Sequence, residues 1–331
     1  MSEIIKEYES GFRGWVPDQA KDDAFVAYLQ SSGRYAYGLD AVANSGLYGT
    51  GEGKLSLPYL AAVTFYPGCL PGGAQQRGSC VAWSTRNTAM VSYLAAIMYG
   101  PNHDREVPPL ISDVGIKNGC FSTAGIYWFR GHGGDGWQCS EAAQVAISKC
   151  GLLINQNYPD IGIDLTRYSP SIEGRWGASP PPANVQEVCK KNLCENATVC
   201  TSWEQVRDML ANGTALSSCG SEAFVSQRDT YGVCARSSSV WYHAMAIIAA
   251  DDRDEIKDRT RCKDGGLVLV QNSWGSYLEG PDMIWGTTKR IPVGSFWARW
   301  DDVKNRYFVA LGAAAGWPAR KLPDWGLGGI V

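Results

Sequence analysis

Residues 75–98 constrain the fold more than any other stretch. Gly78-Ser79 permits a tight turn and Cys80 follows at once. An apolar series, Met90, Leu94, Ile97 and Met98, then recurs at three- and four-residue steps until Gly100-Pro101 ends it. That period predicts an amphipathic helix with one face on a core. It places Cys80 in the first turn, where unpaired N–H groups and the positive end of the helix dipole lower a thiol pKa. A cysteine opening a buried helix is, taken alone, an ordinary small core residue. Reading it as a nucleophile requires a proton partner elsewhere in the chain.

Three histidines are available: His103, His132 and His243. His103, in Pro101-Asn-His-Asp-Arg, reads as a solvated loop residue, and His132 as a surface residue at the rim of a glycine strip. His243 has the suitable setting. Val240-Trp-Tyr-His-Ala-Met-Ala-Ile-Ile-Ala-Ala reads as a buried strand with His243 near its start, and the next strand, Gly266-Leu-Val-Leu-Val-Gln, runs into Asn272-Ser-Trp-Gly. Neighbouring strands bring Asn272 to His243, where an amide oxygen fixes the imidazole tautomer and aims the other ring nitrogen at sulfur.

Gly78-Ser-Cys80-x-Ala-aromatic-Ser, His243-Ala-x-Ala and Asn272-Ser-Trp-Gly, in this order, resemble the three signature blocks of the papain family of cysteine peptidases. The resemblance covers about residues 57 to 300. It implies an α+β, two-lobed fold, with a helical lobe (about 70–165) carrying the nucleophile helix and a β-rich, barrel-like lobe (about 166–300), followed by a tail (301–331). It also implies Cys80 as nucleophile, His243 as general base and acid, Asn272 as orienter and Trp274 as the indole shielding the Asn–His contact. Gly131-His-Gly-Gly-Asp-Gly-Trp is similar to the family's substrate-groove glycine strip, with Gly134 and Gly136 as groove residues, and a helix from Ser140 to Ser148 lies behind it. The expected activity is cysteine-type peptide-bond hydrolysis through an acyl-enzyme. The alternatives are a structural or adhesive virion protein that keeps the body as a scaffold and, fitting Asn272-Ser-Trp-Gly less well, a transglutaminase or N-terminal amidase.

Several positions depart from the family pattern. Ala74 stands where the family places the oxyanion-hole Gln, so Gln75 or Gln76 has to substitute, with Gln75 favoured. A lost side-chain donor of this kind costs roughly 10²–10³ in rate. Arg77 stands where a disulfide cysteine is common, and Val81 replaces a Trp. Nucleophile and base are further apart than the roughly 130–150 residues of the family. A Cys-rich insert ending at Cys200, after a Ser/Gly/Pro-rich loop over 169–182, accounts for the excess.

Residues 1–56 precede the match as an N-terminal extension. Its Gly14-Trp-Val-Pro-Asp block resembles the leader of some bacterial and phage members and is expected to wrap the body without plugging the cleft, with a short amphipathic helix over Asp22–Gln30. Leu57–Phe65 reads as a strand leading into the body, and Ser202–Gly213 as a helix capped by Ser202 with Gln205 at its third position. Ordered ends would suit a larger protein assembly. With 30 Lys+Arg against 33 Asp+Glu and a net charge of −3, no nucleic-acid or anionic-membrane partner is expected. No apolar run reaches membrane-spanning length and the first residues lack the layout of a signal peptide. The substrate expected is a polypeptide or a cell-wall peptide, with no cofactor and no metal. Eleven cysteines nonetheless suit an oxidising, extracellular or virion-associated location. A stapled loop region is expected around Cys189, Cys194, Cys200, Cys219 and Cys234, with the pairing open.

Overall fold

A computed structural model describes residues 14–32, 50–99, 121–151, 153–179, 181–190 and 193–312. His103, Gly100-Pro101, the first thirteen residues and most of the expected tail lie outside them. In chain order come α1 (Gln19–Ser32), β1 (Leu55–Ser56), α2 (Tyr59–Phe65), α3 (Cys80–Tyr99), α4 (Thr123–Tyr127) and α5 (Cys139–Ser148). The short pair β2 (Asn157–Tyr158) and β3 (Ile163–Asp164), α6 (Pro170–Gly177), α7 (Ala183–Cys189), β4 (Ala197–Cys200) and α8 (Trp203–Ala211) follow. The chain continues with β5 (Leu216–Arg228), β6 (Cys234–Asp251), α9 (Asp254–Thr260), β7 (Leu267–Gln271), β8 (Ser295–Arg299), α10 (Trp300–Val303) and β9 (Tyr307–Leu311).

The long helix α3 is the spine, and it is buried on every face, with only Met98 and Tyr99 at its end partly exposed. The expectation of a one-sided amphipathic helix is corrected here. The polar residues that make its sequence look amphipathic face other protein groups instead of water. Ser84 Oγ lies 2.6 Å from Ser217 Oγ, Ser92 Oγ accepts the Ala215 N–H at 2.9 Å, and Arg86 donates to the carbonyls of Cys69 and Pro71. These three buried side chains thus find partners inside the protein, which lowers the cost of enclosing the helix, while Asn87 Oδ1 and Thr88 Oγ1 are buried with no hydrogen-bond partner.

Against α3 packs an antiparallel sheet in the order β4-β9-β5-β6-β7-β8, with β1 added to the far end of β6. The β5–β6 hairpin changes register near Gly220, Glu222 and Phe224. Such bulges increase twist and let a sheet curl, here into a half-barrel. Its second face closes on Val268, Val270, Phe296 and Phe308 together with Trp203 and Leu210 of α8. Ser202 caps α8 by accepting the Gln205 N–H, and the Gln205 side chain accepts the Thr201 N–H, close to the expected reciprocal cap.

Three local expectations are corrected. Residues 59–65 form a helix because Pro58, already in the αR region, starts a turn that buries Tyr59, Ala61 and Ala62; the strand is only Leu55–Ser56. The 169–182 loop contains α6, capped by Ser169 and started by Pro170. His243 sits well inside β6, not near its start. Among the described cysteines one disulfide is formed, Cys139–Cys219, joining α5 to β5. Cys189, Cys194, Cys200 and Cys234 are free and buried, so the stapled-loop expectation fails in this structure, and Cys219 pairs outside the proposed set. No helix of the described residues is long and apolar enough to cross a membrane.

Candidate active site

Cys80 is the first residue of α3 and is fully buried. His243 enters from β6 and Asn272 from the residue after β7, and the β6–β7 pairing brings the two side chains together. His243 Nε2 lies 2.8 Å from Asn272 Oδ1. The Asn272 amide nitrogen donates to Tyr277 Oη at 2.8 Å, which leaves its oxygen as the acceptor for the ring. The neutral imidazole therefore carries its proton on Nε2 and presents a bare Nδ1. Nδ1 has no hydrogen-bond partner. Cys80 Sγ accepts the N–H of Ala244, the residue after His243, at 3.4 Å. The main chain next to His243 thus contacts the sulfur, and the ring itself is not hydrogen bonded to it.

Trp274 lies against the His243 ring at 4.7 Å between centroids, and Trp241 packs on Trp274 at 4.7 Å, so indoles enclose the His–Asn contact. Gln75 is fully buried. Its amide nitrogen donates to the Arg77 carbonyl at 2.9 Å and its oxygen accepts the Ser273 hydroxyl, while its backbone N–H bonds Ser273 O at 2.8 Å. Gln76 is exposed and lines an open groove with Gly73, Ala74, Tyr168 and Val293. Gly136 is buried, with its N–H on the Gly78 carbonyl at 3.2 Å, whereas Gly134 and His132 are exposed. Among the described residues no group of three or more His, Cys, Asp or Glu is placed to hold a metal ion.

The leader occupies the cleft, which corrects the expectation that it only wraps the body. Trp15 N–H donates to the Tyr242 carbonyl at 3.1 Å, Val16 N–H to the Trp137 carbonyl at 3.0 Å, and Trp137 N–H to the Gly14 carbonyl at 2.7 Å. Three residues therefore bond both to the strip before α5 and to β6 just before His243. Gly14 is required there. A Cβ on it would lie 2.2 Å from Gly78 O and 3.1 Å from Cys80 Sγ. Its N–H acts on the sulfur, while its carbonyl is turned away to Trp137. Sequence reading missed this because Gly-Trp-Val has no periodicity, and a leader's position depends on what it docks against.

Burial dominates the electrostatics. It pushes the Cys80 thiol up to about 11, opposed by the amides of Ala244, Gly14 and Val81 and by the charge of Arg306. Burial also lowers the His243 imidazole to about 3, against the Asn272 hydrogen bond, with Arg306 adding to the fall. In this closed form both groups are neutral at pH 7.

Of the further residues that support the site, only Arg77 was marked in the sequence. Arg306, fully buried, donates to the His243 carbonyl at 2.6 Å, to Ser218 Oγ at 2.8 Å and to Glu222 at 3.2 Å. Glu173, also fully buried, accepts hydroxyls from Ser79 at 2.8 Å, Tyr168 at 2.9 Å and Thr123. Arg77 pairs with Asp135, which also accepts the Gly78 N–H, so an ion pair links the nucleophile loop to the glycine strip. Tyr242 holds a left-handed φ of 47° and stacks on Trp15.

Neither a protein-family model nor a curated protein matches the sequence. Solved structures do. Xylellain, a cysteine protease from Xylella fastidiosa, aligns over 92% of this chain and 97% of its own at 15% identity with a TM-score of 0.52. A digestive procathepsin L2 from Tenebrio molitor larval midgut aligns over 94% and 81% at 14% identity and a TM-score of 0.46. A procathepsin B from Trypanosoma congolense aligns over 93% and 88% at 9% identity and a TM-score of 0.47. The xylellain match and the α3-on-half-barrel architecture define the fold as papain-like, of the α+β class.

Proposed function

We propose that the protein is a cysteine-type peptide-bond hydrolase held closed by its own leader. The observation that carries this reading is the His243 Nε2–Asn272 Oδ1 contact of 2.8 Å, with Ala244 N–H on the Cys80 sulfur. With the leader displaced, water reaches the cleft and the burial that raises the thiol and lowers the imidazole is relieved. The proton then passes from Cys80 to His243 Nδ1. The thiolate attacks an amide carbonyl whose developing oxyanion is stabilised by the Cys80 N–H and a Gln75 amide freed from Arg77. His243 protonates the leaving amine, and water releases the acyl group. Substrates are polypeptides or cell-wall peptides, bound along Gly136 and Trp137 by the backbone bonds the leader now makes. A place in the bacterial and phage branch rests on the Gly14-Trp-Val-Pro-Asp block.

The test is alkylation of Cys80 by iodoacetamide under reducing conditions, followed by mass spectrometry. Peptidase activity and site-selective labelling are both expected from protein whose leader has been displaced, with activity abolished in Cys80→Ala. A Cys80 that remains unlabelled in leader-displaced protein removes the proposal.

The occupied cleft favours one second reading, a structural or assembly protein that keeps the body as a scaffold. It predicts that displacing the leader exposes Cys80 to label without producing hydrolysis of any peptide substrate.

A further inference from the structure

Three thiols that the proposed chemistry does not use meet in the helical half of the molecule. Cys150 follows the end of α5, Cys189 is the last residue of α7, and Cys194 lies five residues beyond, all buried. Their backbones are pinned to one another's elements. Gly151 N–H donates to the Cys189 carbonyl at 3.2 Å, and Cys194 N–H to the Ala146 carbonyl, one turn back from Cys150, at 2.9 Å. The Cys150 thiol donates to the Gly151 carbonyl at 3.7 Å; burial raises its pKa, and the neighbouring Cys189 and then Cys194 raise it further. Cys150 and Cys189 belong to the same apolar cluster, whereas Cys194 belongs to the neighbouring one.

The geometry points to a disulfide between Cys150 and Cys189, formed by a small disulfide oxidant such as oxidised glutathione, with Cys194 remaining a thiol. The step balances. Two protein S–H groups lose two protons and two electrons, one S–S bond forms, and the oxidant's S–S bond is reduced to two thiols.

One other fate of such a cluster is excluded, since the three sulfurs are not placed as a metal-holding set among the described residues. The exchange passes through a mixed disulfide with the oxidant on one protein sulfur, which the second protein thiol then displaces. A second bridge also has a mechanical consequence. The start of α5 is already joined to the sheet by Cys139–Cys219. Bridging Cys150 to α7 fixes its far end to the insert, so the helix behind Trp137 is cross-linked at both ends.

Peptide mapping decides the matter, because the chain provides its own cut sites. Lys149 precedes Cys150, and Lys190-Lys191 separates Cys189 from Cys194, so trypsin places the three thiols in three peptides. The folded full-length protein is incubated with oxidised glutathione, unfolded in denaturant with excess iodoacetamide, and digested without reduction. The expected result is a Cys150–Cys189 linked pair, two hydrogens lighter than the separate peptides and lost on reduction, with Cys194 recovered alkylated. Cys194→Ser is expected to leave the link unchanged. Recovery of both Cys150 and Cys189 as alkylated peptides, or of Cys150 linked to any other cysteine, overturns the inference. Loss of the link in Cys194→Ser overturns it as well.

Discussion

Among single residues, Arg306 bears most directly on the proposed chemistry. Its guanidinium is buried under the site, itself lowered to about 10 by that burial, and it holds the His243 carbonyl while Glu222 compensates its charge. A positive charge beneath the pair favours the thiolate and disfavours the imidazolium. Replacing Arg306 by Met is therefore expected to move the pH profile of Cys80 alkylation upward in leader-displaced protein. Arg306→Lys, which keeps charge but loses the fork, retains more of the original profile. A purely structural Arg306 would alter stability in both variants and leave the profile in place. Gln75→Ala is expected to lower kcat by roughly 10²–10³, the usual effect of a lost oxyanion donor. Gln76→Ala, on an exposed side chain, is expected to leave kcat within about twofold, the spread of a surface change. Steady-state kinetics on the two variants separates these candidates. The pairing of His243 with Asn272, and the approach of the next residue, Ala244, to Cys80, were legible in the sequence, because a thiol, an imidazole and an amide in ordered blocks have few other uses together. Arg306, Glu173 and Tyr277 were not legible. Their value lies in which buried carbonyl or hydroxyl they meet, and nothing local to their own sequence encodes that.

Among the elements, the leader strand has the sharpest consequence. Gly14 fits because it has no side chain, with Gly78 O and Cys80 Sγ on the side where a Cβ would project. Gly14→Val cannot be relieved by a rotamer change, since the nearest obstacle is backbone. The strand is expected to lift, accelerating Cys80 alkylation by at least about tenfold, the equivalent of about 1.4 kcal/mol of lost docking. An unchanged labelling rate in Gly14→Val would mean that the leader does not control access. Of the other elements, α3 could be read as a helix but not as an enclosed one. Ser84 is bonded across to Ser217 of β5 and Ser92 to Ala215 just before it, so part of a polar stripe in the sequence became a buried contact. The Leu57–Phe65 segment went wrong for the opposite reason, since a short apolar run does not distinguish strand from helix until the turn at Pro58 is known.

For the whole molecule, the neutral burial of His243 couples folding to acid. Its imidazole titrates near 6.5 when free and near 3 in the closed form. Below pH 6.5 the unfolded chain takes up a proton that the folded chain refuses, so stability falls as the pH drops from 6.5 towards 3. The slope from this one group approaches about 1.4 kcal/mol per pH unit. Thermal melts across that range are expected to show a shallower acid loss in His243→Gln than in the parent. Equal slopes would assign the loss to other groups. The α+β class and the two-lobed plan were legible because the three blocks arrive in order, while the closed state was not, since it is a property of chain ends meeting a finished surface. The strap over Cys80 has a kinetic corollary. Besides the stacking of Trp15 on Tyr242, it grips Trp137 and Tyr242 through main-chain groups, which any extended peptide also carries. A free substrate must displace a tethered rival whose local concentration is on the order of millimolar. Turnover by the intact chain should therefore begin with a lag at low substrate and shorten as the first molecules lose their tether.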